Sequence, residues 1–164
     1  MNDAHLHLVV NHFPIIGTIL GLGILVSGII IKNNAIKNTA YVVFSVVAIF
    51  TFLSIATGEG AEEIVEDMPN IGKQIIHEHE EMAEKLAVVL YVLGIVSLIG
   101  LYTNFKNNSK ATIISYIAVV IASLGALLAQ QTGTTGGEIR HTEIRVNALP
   151  TSVEKQNADT ENEE

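Results

Sequence analysis

Four stretches of this chain, residues 6–31, 39–57, 82–103 and 111–131, are apolar and long. Each can cross a hydrocarbon core of about 30 Å as a helix, which takes roughly 17–25 residues. A chain of 164 residues with a formal net charge of −8 would ordinarily be read as an acidic soluble domain, but 49% of its residues are hydrophobic and only 16% are charged. The two facts are compatible because charge is concentrated between the apolar runs and beyond them. The expected fold is all-α, a four-transmembrane-helix antiparallel bundle running up-down-up-down. Gly17 and Gly21 in the first run, and Ala118, Ala122, Gly125 and Ala129 in the fourth, supply small-residue stripes along which helix backbones can approach.

The connections set the orientation. Residues 32–38 and 104–110 are short Asn/Lys turns that hold Lys32, Lys37, Lys106 and Lys110 and no acid, whereas the other side holds five basic and all 17 acidic residues. Short cytoplasmic loops carry the excess of Lys and Arg, so both termini and the long connection are expected outside, with the chain in a bacterial inner membrane. Residues 1–146 form the membrane domain, with an outer loop at 58–81 and an outer cap at 132–146, and 147–164 reads as a disordered acidic tail. Met1 to Ala4 carries no basic n-region, so no cleavable signal peptide is expected.

Composition excludes several chemistries. Without cysteine there is no disulfide, iron–sulfur cluster, thiolate zinc site or covalent c-type haem. Without a basic cluster nucleic acid is not an expected partner; membrane lipid is. No nucleophile triad, phosphate loop or dinucleotide fingerprint occurs, no catalytic residue is assigned, and a stand-alone enzyme is not expected. No charged or polar residue marks a path through the inner half of any run, which argues against a transporter.

Six histidines remain as ligands, and all fall toward the expected outer face. His12 sits inside the first apolar run, where an ionisable side chain is by default functional. His79 shares the spacing of Ala83, Leu86, Leu90 and Leu93 and is expected to face inward, with His77 turned to water or Glu81. His5, His7 and His77 read as solvated. His141 follows Gly133-Thr134-Thr135-Gly136-Gly137, a flexible segment expected to fold back over the outer mouth. Pro14 either opens the first helix or kinks it so that His12 turns toward the axis. Nearby carboxylates, Glu59 to Asp67 and Glu78 to Glu84, form a solvated face from which an imidazole could be oriented.

His12-Phe13-Pro14-Ile15, Thr57-Gly58-Glu59-x-Ala61-Glu62, His79-Glu80-Glu81-x-Ala83 and Gly136-Gly137-Glu138-Ile139-Arg140-His141, in this order, resemble a family. It is the uncharacterised four-helix bacterial membrane proteins with an HFP motif, a domain of unknown function often found with c-type cytochromes. The resemblance covers about residues 5–146 and implies a haem-binding or electron-feeding role, with a separate periplasmic c-type cytochrome or respiratory complex as partner. On that reading His12 and His79 ligate haem b, His141 is a third ligand or lid, Gly136 and Gly137 permit the close approach, and Arg140 pairs with propionates. The alternatives are a copper or zinc site at His12, His79 and His141 for metal handling or sensing, and a structural subunit.

Overall fold

The short Asn-rich segments close the helices by local rules. Lys32 and Asn107 adopt left-handed backbone, φ 56° and 47°, and the amides of Asn33 and Asn108 turn back to Gly28 O and Thr103 O, both at 2.9 Å, the closure that ends many helices. Asn33 Oδ1 then accepts from the amides of Ala35 and Ile36, starting the next helix.

The computed structural model describes residues 2–66, 68, 69 and 71–145, and all its elements there are helical. They are α1 (Asp3–Val10), α2 (His12–Ile30), α3 (Asn34–Val65), α4 (Lys73–Phe105) and α5 (Ala111–Arg140), followed by a 3₁₀ turn at Thr142–Ile144. The tail expected at 147–164, residue 146 of the expected cap and Asp67 of the acidic face lie outside the described residues. Counting α1 with α2 as one span, four helices are long and apolar enough to cross a membrane. Neighbouring pairs α2·α3, α3·α4, α4·α5 and α2·α5 close a four-helix bundle, and α1 lies on α3.

Two segments differ from the sequence expectation. The loop placed at 58–81 is mostly helix, since α3 runs on to Val65 and α4 starts at Lys73. The Gly/Thr segment placed as a folded-back cap continues α5 as helix to Arg140. At 1.5 Å per residue, helices of 30 to 33 residues run about 45–50 Å, against the ~30 Å of a hydrocarbon core. A change from apolar to polar composition marks where a helix leaves the apolar layer, and the helix itself continues.

Packing is set by small residues facing large ones. A Cβ added at Gly21 would stand 2.5 Å from the Phe44 ring, one at Gly100 2.5 Å from Tyr41, and one at Gly17 2.5 Å from Val47. Leu25, Tyr41, Phe44, Leu90 and Leu93 are fully enclosed with Ala118 and Ala122, while large apolar residues such as Leu20, Phe52, Val120 and Leu127 face outward. The lysine-bearing half is also more polar than expected. Tyr41 OH donates to Ser115 Oγ at 3.0 Å, Asn104 Nδ2 donates to Asn38 Oδ1 at 2.7 Å, and Ser97 is buried. The two hydrogen bonds tie α3 to α5 and to α4. Along the helices Leu25, Phe44, Leu90 and Leu93 separate them from the next buried hydroxyls, Thr18 and Thr51.

Candidate functional site

The inward seam of the first span is a heptad series. Pro14, Gly21 and Gly28 recur every seven residues with Thr18 and Leu25 between them, and all five are buried. Continued back one heptad, the series reaches His7. His7 is half-buried, its ring Nδ1 lying 3.0 Å from Ser54 O and 3.2 Å from Thr57 Oγ1 on α3. A carbonyl oxygen only accepts, so Nδ1 carries the proton and Nε2 keeps its lone pair in the neutral ring.

His79 reaches the same state from the opposite side of the bundle. It lies on the face of α4 that buries Leu86, Leu90 and Leu93, with Nδ1 3.1 Å from Thr135 Oγ1 of α5. The Thr135 hydroxyl donates its single hydrogen to Thr132 O, 3.1 Å away, so it accepts from His79 and again leaves Nε2 unprotonated. The ring rests on Gly136, where an added Cβ would come within 2.9 Å of Cε1. Gly58 plays a looser version of that part for His7, at 3.9 Å. Each imidazole is fixed at Nδ1 by the protein, as the second nitrogen of a metal-ligating histidine commonly is.

The other sequence candidates lie elsewhere. His12 is exposed on the outward face, with Nδ1 2.7 Å from Leu8 O of its own span. Its neighbour Phe13 stacks on Phe50 at a ring separation of 4.2 Å, and Pro14 is buried and accepts from Thr18 Oγ1 at 2.6 Å. His77 is exposed, 3.7 Å from Glu80 and 3.4 Å from Glu81. His141 is exposed and pairs with Glu143 at 2.8 Å; the backbone amide of Glu143 and this imidazole hold the carboxyl below the usual carboxylate range. Arg140 is directed away from the imidazole pair, onto Met68 Sδ at 2.6 Å, and Gly137 packs against Ile144. The structure thus brings Gly136 and His79 together with His7, and does not bring His12, His141, Arg140 or Gly137 to them.

Among the described residues no group of three or more His, Cys, Asp or Glu side chains converges as a metal site. Around the histidine end, α3 and α4 carry carboxylates, with Glu62 close to Glu80 and Glu66 3.2 Å from Lys73. His7 is the residue that reading the sequence missed. The heptad through Pro14, Gly21 and Gly28 was the signal that could have found it. No family model matches the chain, and no curated protein or solved structure is similar to it.

Proposed function

We propose that this chain is a multi-pass protein of the bacterial inner membrane that carries a b-type haem between His7 and His79 for electron transfer. The observation that supports it is the pair of half-buried imidazoles at one end of the bundle, each tied to the protein at Nδ1. His7 and His79 would hold the haem iron through their Nε2 atoms. Zinc sites use three or four protein ligands, and copper electron-transfer sites about three, so this donor set fits haem better than either. When bound, haem iron would supply a one-electron couple.

The chain's own residues divide the remaining tasks. Ser54 O and Thr135 Oγ1 fix the tautomer and the direction of each ring, and Gly58 and Gly136 leave room for the rings against the helices. Leu86 and Leu90 keep water from the side of the site facing the core. In this proposal the helices run antiparallel, with the Lys32, Lys37, Lys106 and Lys110 turns cytoplasmic and both termini outside. The imidazole pair then sits at the outer edge of the bilayer, where a separate periplasmic c-type cytochrome or a respiratory complex could exchange electrons with it. Arg140 has no propionate role here, because its guanidinium is engaged with Met68.

The test is a reduced-minus-oxidised visible spectrum of protein purified in mild detergent after haem-supplemented expression, with a pyridine haemochrome assay and elemental analysis on the same sample. Soret and α bands with about one haem per chain are the expected result. A colourless protein holding copper or zinc would replace haem by metal handling. A colourless, metal-free protein would leave the two imidazoles as ties between helices in a structural subunit.

A further inference from the structure

The His12-Phe13-Pro14 segment ligates nothing in the site just described, yet each of its residues works at one place, the junction of α1 and α2. Proline has no amide hydrogen, so Val10 O loses the donor that residue 14 would give it in a continuous helix. The helix is interrupted there at Asn11. Across the interruption run Asn11 N to His7 O at 2.9 Å and the side-chain clasp of His12 Nδ1 on Leu8 O at 2.7 Å. Phe13 and Pro14 anchor the α2 side, one on Phe50 and the other in the core.

α1 packs along α3. Val10 is its one buried residue, and the His7 hydrogen bonds and Asp3 lying over Gly60 add to that packing. The docked position also leaves a polar atom unsatisfied, since no donor among the described residues reaches the buried Asn11 Oδ1. A buried acceptor without a donor is costly to keep from water, so the docked position is less stable than it would be with that acceptor paired. His7, the ligand in the proposed site, lies on this segment.

We propose that α1 is a hinged strap, with His12-Phe13-Pro14 as its hinge, that moves His7 off His79 to admit a flat tetrapyrrole and then closes on it. The proposal rests on the haem reading for the nature of the ligand, and on the geometry of α1 alone for the motion. The chain contains no cysteine, so Asp3→Cys with Gly60→Cys makes a single, defined pair. The Asp3 Cβ lies 2.9 Å from the Cβ position at residue 60, closer than the roughly 3.5–4.5 Å of a disulfide, so the pair closes with a small outward shift of α1.

Two readouts separate the strap from the haem. Hydrogen exchange on the apo-protein should show the amides of α1 exchanging roughly tenfold faster than those of 132–140, which lie at the same end of the bundle, and Pro14→Ala, which restores the missing donor, should slow them. Haemin added to the apo double-cysteine protein should develop its Soret band roughly tenfold more slowly in the oxidised than in the reduced form, with reductant restoring the rate. Exchange of α1 in step with 132–140, or no response to Pro14→Ala, overturns the strap. Equal haemin uptake by the two redox forms overturns its role as a gate. Failure of the reduced form to take up haemin at all counts against the haem reading, while the exchange result still decides whether α1 opens.

Discussion

Thr135 has one hydroxyl hydrogen and directs it to Thr132 O, which forces its contact with His79 to run from the imidazole to the hydroxyl oxygen. Thr135→Val removes that acceptor while keeping the shape, and Thr135→Ser keeps both functions. Loss of a group that orients a ligand commonly costs about 10–100-fold in affinity. Haemin titration of the apo-protein should therefore show weakening of that order for Thr135→Val and little change for Thr135→Ser. Gly136 has a steric part of its own, because the Cβ of Gly136→Ala would meet the His79 ring at 2.9 Å. Retention of haem should fall in that variant although alanine is the better helix former. At this scale His79 was legible from its spacing, and His7 was not. A histidine seven residues from the N-terminus reads as interfacial, and depth within the apolar run drew the choice to His12. In lipid the outward face is as hydrophobic as the core, so depth along a helix says nothing about which way a side chain points.

Whole helices obey the same inversion, with large residues outside and small residues at the contacts. The first span offers a matched test. A Cβ at Gly21 would stand 2.5 Å from Phe44, whereas nothing lies within 4 Å of one at Gly23. Overpacking of this kind costs about 1–3 kcal/mol, so Gly21→Ala should lower thermal stability in detergent and Gly23→Ala should leave it unchanged or raised. Equal behaviour of the two would reject the α2–α3 packing. Helix number and the two Asn/Lys turns were legible, because a span needs a long apolar run and the turn residues have local roles: Asn33 caps and Asn107 takes left-handed backbone. The ends at 58–65 and 132–140 were not. Glycines cost about 1 kcal/mol each in a helix interior, which argued for a loop, but Gly136 gives room to His79 and Thr132 Oγ1 donates to Met82 O at 3.2 Å. Packing against α4 outweighs the local preference.

For the molecule as a whole, charge divides into a lysine end and an acidic end that also holds the imidazoles. Since the chain has no cysteine, single cysteines can report sidedness. Asn2→Cys should react with a membrane-impermeant maleimide added outside intact cells, and Asn108→Cys only after permeabilisation; the reverse pattern would invert the proposed orientation. Which histidines turn inward was the least legible feature, because it depends on which faces four helices turn toward one another, and no single helix encodes that. The most direct test of the central claim sets His7→Ala beside His12→Ala, both expressed with ample haem and compared with the unaltered protein by their reduced-minus-oxidised spectra. With His7 as the ligand, the haem bands disappear in His7→Ala and persist in His12→Ala. Bands that survive the loss of His7, or that vanish with His12 instead, would contradict it.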